Sequence, residues 1–192
     1  MSLPNKNPRG TRIFGDEAKK TAQRVRLLGE IDELVSSLSI VRSHASSRLD
    51  CTIRRIQSLL LTMGAHIADP KGRHSTKLKK SDFIELKRFS TRLEQSLPPL
   101  KNFILPGKPS TAASLHLCRS IARRVERSTI DLDTEQPVDP VVLHVANELS
   151  DCFFHLARSE TLQSGSEDEI WTYSGPLNKG ELDDLYPGEQ DN

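Results

Sequence analysis

Apolar residues recur at alternating spacings of three and four in several separate stretches, and this periodicity restricts the chain to helical packing more than any other feature. In the first stretch Leu27, Ile31, Leu34, Leu38 and Val41 draw one stripe along a helix. The second holds Ile53, Ile56, Leu59, Leu60, Met63 and Ile67 and closes at Asp69-Pro70. The basic segment PKGRHSTKLKK then reads as solvated loop. Ser81 to Leu97 is predicted as a third helix, with Ser81 as N-cap and Phe83, Leu86, Phe89 and Leu93 turned inward. Pro98, Pro99 and Pro106 bracket a non-helical connection, LKNFILPGKPS. A fourth helix begins near Ser110. The fifth begins near Asp139, whose side chain caps, with Pro140 in the first turn, and it ends around Arg158.

No segment shows sustained two-residue alternation with β-branched enrichment. The expected class is therefore all-α, an up-and-down five-helix bundle. Three units follow: residues 1–20, polar and rich in turn formers; residues 21–160, the bundle; and residues 161–192, an acidic tail without a periodic core face. Such a tail is expected to be disordered or loosely docked, with Trp171 and Tyr173 as candidate docking groups.

Composition narrows the function. The 27 basic and 26 acidic side chains leave no overall field to recruit nucleic acid or an anionic membrane, so any anion site is local. No run of about 18 apolar residues exists to span a bilayer, and MSLPNKNPRG lacks the apolar stretch of a secretory signal. Cys51, Cys118 and Cys152 are widely spaced and odd in number, and are expected to be reduced, buried residues of an intracellular protein. The histidines form no zinc pattern, so no protein-held metal is expected. There is no GxxxxGK[ST] loop and no G-x-S-x-G elbow.

The charge that matters sits in LHLCRSIARRVERSTIDL, from Leu115 to Leu132. On a wheel of about 100° per residue, Leu115, Cys118, Ala122, Val125, Thr129 and Leu132 form the buried seam. Arg119, Arg123, Glu126 and Arg127 share an adjoining face, and Arg124 lies further round. An ordinary solvated face, laced by Glu126 to Arg123, is one explanation. Exclusive use of Arg favours the other, a grip on phosphate or carboxylate by planar forks. The fifth helix adds Asn147, Asp151, Phe154 and Arg158 on one line, an amide, a carboxylate and a ring that suit a ligand wall. In the first helix Asp32 is offset from the apolar stripe and needs a cation if buried, with Arg119 a candidate. Phe103, taken by itself, reads as a loop anchor in the core.

Four segments in order, GEIDEL, FILPGK, LHLCRSIARRVER and ANELSDCFFHLAR, resemble the PduO-type ATP:cob(I)alamin adenosyltransferases over about residues 10 to 158. The resemblance implies a homotrimer of five-helix bundles with an active site at each subunit interface. It implies transfer of the 5′-deoxyadenosyl group of ATP to the cobalt of cob(I)alamin with release of triphosphate, ATP carrying Mg²⁺. Arg123, Arg124, Glu126 and Arg127 would border the nucleotide, and Asn147 would hold it from the last helix. Gly10, Thr11 and Lys20 would belong to the phosphate loop. Asp32 and Arg119 would form an interface ion pair near the corrin, and Phe103 would close the lower face of the ring. Compartment would be cytoplasm, or mitochondrial matrix in a eukaryote, and an adenosylcobalamin-dependent enzyme would accept the product.

The chain departs from the family at the N-terminal loop, where Lys6, Asn7 and Pro8 replace a Thr-Gly-Asp. Lys108 stands in place of the second glycine of F-I-L-P-G-G. A catalytically weakened corrinoid carrier is accordingly the alternative function, and a generic helical scaffold the third.

Overall fold

A hairpin and five helices make up the chain in the computed structural model, which describes residues 9–13, 16–19, 21–73, 76–173 and 175. The elements are β1 (Gly10–Ile13), β2 (Asp16–Lys19), α1 (Gln23–Ser43), α2 (Ser47–Ala68), α3 (Lys80–Ser96), α4 (Ser110–Glu135) and α5 (Pro140–Gln163). In the bundle α1 packs on α2 and α4, α4 on α5, and α5 on α3. The central trio α1, α4 and α5 therefore sets the position of the arginine face.

The predicted stripes become the core. Leu27, Ile31, Leu34, Leu38 and Val41 of α1 are all buried, as are Leu115, Cys118, Ala122, Val125 and Leu132 of α4. They meet Leu149, Phe153 and Leu156 of α5 in one contiguous cluster. Truncating such side chains to Ala costs about 2–5 kcal/mol each, so the seam fixes the rotation of α4 about its axis. That rotation decides which way its arginines point.

Local chemistry places the helix ends. Ser46 caps α2 by accepting from Leu49 N at 3.3 Å, and Asp139 caps α5 by accepting from Val141 N at 3.0 Å. Between α1 and α2, Arg42 reaches Asp50 at 2.7 Å while buried Gln57 donates to Val35 O at 2.9 Å. Arg24 donates to Ile67 O and to Gln136 Oε1, tying the start of α1 to the ends of α2 and α4.

Several expectations are corrected. The N-terminal segment is not free of strands: β1 and β2 pair antiparallel with Gly10 opposite Lys19 and Thr11 opposite Ala18. Strands of four residues are too short to display alternation; the remaining signal was a two-residue spacer containing glycine. Ser81 is not the cap of α3, which begins one residue earlier because the Asp82 carboxylate accepts from Lys79 N at 2.7 Å. Helix α5 continues past Arg158 to Gln163, with Thr161 still buried. Of the four inward residues predicted for α3, Leu86 alone is fully buried, since α3 is an edge helix packed mainly on α5. Cys51 is exposed, unlike Cys118 and Cys152.

Of the tail, the described residues 168–171 dock through the Asp168 carboxylate and through backbone rather than through the aromatic rings. Ile170 pairs with Ile104 in an antiparallel bridge, while Trp171 and Tyr173 remain 48% and 78% exposed.

Candidate active site

Helices α4 and α5 run antiparallel, and their facing polar residues form a lane along the outside of the bundle. At one point Asn147 Nδ2 donates to Glu126 Oε1 at 2.8 Å. Two turns further along both helices, Arg119 lies over the Phe154 ring with its Cζ 5.3 Å from the centroid. Arg123 stands between these two contacts on α4, and Arg127 lies one turn beyond it toward the Glu126 end. Asn147, Asp151 and Phe154 of the predicted line share this side of α5 opposite the arginine face of α4, whereas Arg158, the fourth, is buried.

The two readings of the arginines differ in the partners they require. Glu126 hydrogen-bonds Asn147, and among the described residues it forms no ion pair with Arg123 or Arg127. Both of those arginines are exposed, and the described residues provide neither with a carboxylate. Arg119 is half-buried with an aromatic face as its recorded partner. Asp151, on the opposite wall, contributes to the field on Lys87 of α3. Among the described residues, these three guanidiniums lie along one side of α4 without a carboxylate partner, in a chain of nearly zero net charge. The lacing of this face by Glu126 ion pairs is not formed among the described residues.

Arg124 differs. Its side chain forms an ion pair with Glu33 of α1, on the flank of α4 that turns away from α5. It is spoken for by the fold, whereas Arg123 and Arg127 are not.

The Phe154 ring is more crowded than the sequence suggested. His116 meets it edge-on at 6.0 Å between centroids, and Arg158 places its Cζ 5.9 Å from the same ring. Arg158 is buried and held by Asp168 at 2.6 Å and by Pro98 O at 2.8 Å. Burial and the neighbouring Arg119 charge push the His116 imidazole below its usual range, with Asp168 opposing them. His116 and Asp168 were not anticipated. His116 falls next to the apolar seam of α4, where a pattern reading counts it as core, and Asp168 follows α5 in a segment without periodicity.

Phe103 is not a core anchor. It is 81% exposed, while its carbonyl accepts from Trp171 N at 2.8 Å and Leu105 N donates to Glu169 O at 2.8 Å. A large apolar ring is thereby offered to solvent on a pinned backbone, an arrangement that suits coverage by a flat apolar ligand.

Asp32 and Arg119 are not brought together within one chain. Asp32 is exposed and lines a shallow groove of α1 and α2 with Leu28, Ile31, Leu61 and Gly64. Gly10 and Thr11 lie in β1, half-buried, and among the described residues no hydrogen bond links them to α4 or α5. Lys20 lies outside the described residues. A separate open cleft of about 630 Å³ lies between α2 and α3, lined by Arg55, Leu59, Lys77, Lys79 and Phe89, and no α4 arginine borders it. Among the described residues no group of three or more His, Cys, Asp and Glu side chains could hold a metal ion, and no helix is long and apolar enough to cross a membrane.

Comparison with known proteins bears on the family and the fold. A sequence model of the family described as cobalamin adenosyltransferase matches residues 8–160. The corrinoid adenosyltransferase PduO of Salmonella typhimurium is 34% identical over 155 residues, which are 78% of this chain and 46% of that protein. The chain thus spans about half the length of that relative. The corrinoid adenosyltransferase of Bacillus subtilis is 32% identical over 163 residues, 82% of this chain and 84% of that protein. A solved structure of a variant PduO-type ATP:corrinoid adenosyltransferase from Lactobacillus reuteri, complexed with cobalamin and ATP, has a TM-score of 0.81 at 33% identity, covering 89% of this chain and 96% of that one. On sequence and on fold, the chain belongs to the cobalamin adenosyltransferase family.

Proposed function

We propose that the chain is an ATP:cob(I)alamin adenosyltransferase. The observation that carries this reading is the lane itself: uncompensated Arg119, Arg123 and Arg127 beside Glu126–Asn147, running toward the Phe154 ring, in a chain of this family. In the reaction the lone pair of Co(I) attacks C5′ of ATP. A cobalt–carbon bond forms, the C5′–O bond breaks, and its electron pair leaves with inorganic triphosphate. The metal centre supplies the nucleophile, so no side chain is needed for that role. The protein contributes alignment and charge.

Arg123 and Arg127 take the polyphosphate, and Asn147 and Glu126 hold the nucleotide between them. Arg124 borders it from the α1 side, where Glu33 fixes its guanidinium. Gly10, Thr11 and Lys20 supply the phosphate loop, residues 1–20 acting as a nucleotide-binding segment ahead of the bundle. Mg²⁺ would enter this site as a companion of the triphosphate, and Glu126 and Asp151 are the carboxylates of the lane that would help hold it. Phe103 covers the lower face of the corrin, excluding water and the axial base. Asp32 meets Arg119 across a subunit boundary in a homotrimer, which accounts for their separation within one chain. The product passes to an adenosylcobalamin-dependent enzyme, in the cytoplasm or, in a eukaryote, the mitochondrial matrix.

The test is direct. ATP with chemically reduced cobalamin is expected to yield adenosylcobalamin and triphosphate, and Arg123→Ala is expected to lower turnover by about 100-fold or more. Replacement of the family's Thr-Gly-Asp by Lys6, Asn7 and Pro8 favours a second reading, a corrinoid carrier with weakened transfer. Cobalamin binding without triphosphate release would select the carrier, and binding of neither ligand would reject both.

A further inference from the structure

The tail after α5 reaches the corrin side of the lane at two places. First, Asp168 is the carboxylate on Arg158, whose side chain is 7% exposed. Two guanidiniums, Arg158 and Arg119, lie over the one Phe154 ring. Their mutual repulsion is offset by Asp168, which neutralises the buried member of the pair. Second, the next three residues pair with the Phe103 segment: Leu105 N donates to Glu169 O, Ile170 bridges Ile104, and Trp171 N donates to Phe103 O. One four-residue stretch therefore sets both the Arg119–Phe154 stack and the backbone under the exposed Phe103 ring. Nothing in its composition announces this, because the ties are one charge and two backbone bonds.

We propose that residues 168–171 are a positioning clasp for the corrin half of the site, with Asp168 as its positioning residue. The clasp touches no reacting atom; it acts through Arg158 on Phe154 and Arg119, and through the bridge on Phe103. This inference rests on the adenosyltransferase reading for its kinetic consequences and on geometry alone for its structural ones.

Full-length Asp168→Ala and Trp171→Pro test it, the first removing the charge and the second the donor to Phe103 O. In both, KM for reduced cobalamin is expected to rise about tenfold, KM for ATP to stay within about twofold, and the base-off spectral shift of bound cobalamin to shrink. Amide exchange at Leu105 is expected to quicken in both variants, and Asp168→Glu to restore most of the cobalamin KM. A uniform loss of stability would move both Michaelis constants together, and that result overturns the proposal. So does unchanged Leu105 exchange in Asp168→Ala. If the unmodified protein transfers no adenosyl group, the functional reading falls, and Leu105 exchange alone then decides the clasp.

Discussion

Asn147→Asp is the most discriminating single change in the lane. The amide nitrogen that donates to Glu126 Oε1 at 2.8 Å becomes a carboxylate oxygen of similar size and shape. A hydrogen bond of about 1 kcal/mol is lost. A negative charge also enters the space assigned to the triphosphate, where a like-charge pair at about 4 Å costs about 1 kcal/mol in water-like surroundings. The water-like figure applies because Asn147 is exposed and Glu126 half-buried. Together the two effects weaken ATP by about 2 kcal/mol, or roughly 30-fold. Asn147→Ala loses the hydrogen bond only, about 1 kcal/mol or roughly fivefold. The Phe154 end is two turns away, about 10 Å along the helix and beyond one Debye length at physiological salt, so KM for cobalamin is expected to move by less than about twofold in either variant. Steady-state kinetics with each substrate varied in turn reads all four numbers. Equal effects of Asp and Ala, or a rise in cobalamin KM with ATP unaffected, would show that no polyphosphate lies beside Asn147.

Three further outcomes rest on burial. His116 is held below its usual range by burial and by Arg119, so the unfolded chain binds a proton that the folded chain refuses. Stability is then full above about pH 6.5 and falls as pH drops from there toward the lowered value; thermal melting between pH 7.5 and 5.5 should show the decline, and His116→Gln should flatten it. Lys87 Nζ lies 2.9 Å from Glu148, whose side chain is 4% exposed with one oxygen lacking a hydrogen-bond partner. Because Lys87 is 54% exposed, Lys87→Met should cost only about 1–2 kcal/mol, a melting shift of about 3–6 °C, and a Glu148→Leu background should abolish that cost. Burial pushes the Cys118 thiol up to about 12 and raises Cys152 as well, while Cys51 is exposed. A thiol reagent should therefore label Cys51 alone in the native protein and all three cysteines after denaturation.

The bundle was legible because its information is periodic and local. A stripe such as Leu27 to Val41 states both that a helix forms and which face it buries, and the caps at Asp139 and Pro140 fix an end to the residue. The hairpin was not legible for the converse reason: Gly10–Ile13 and Asp16–Lys19 are each too short to carry a period, and their pairing is the only thing that makes them strands. The docked tail is harder still. Asp168 acts on Arg158 through a single charge, and Glu169 and Trp171 act through main-chain atoms that every residue possesses.

The arginines of α4 show where sequence information on the site runs out. Four identical side chains within nine positions are equivalent to a pattern reading apart from their angle on the wheel, yet their partners separate them into three kinds. Arg124 is bound to Glu33, 91 residues away in sequence, and so serves the α1–α4 contact. Arg119 rests on Phe154, which makes its charge directional without cancelling it. Arg123 and Arg127 have no carboxylate partner among the described residues, on the same face as Glu126, whose carboxylate is occupied by Asn147 rather than by either of them. That last contact is the decisive one. Had Glu126 paired with Arg123 at the helical spacing available to it, the face would be a solvated ion-pair ladder worth a few tenths of a kcal/mol. By turning the carboxylate toward α5 instead, the fold leaves two guanidiniums without an internal partner among the described residues, and the proposed site assigns them to the phosphates of ATP.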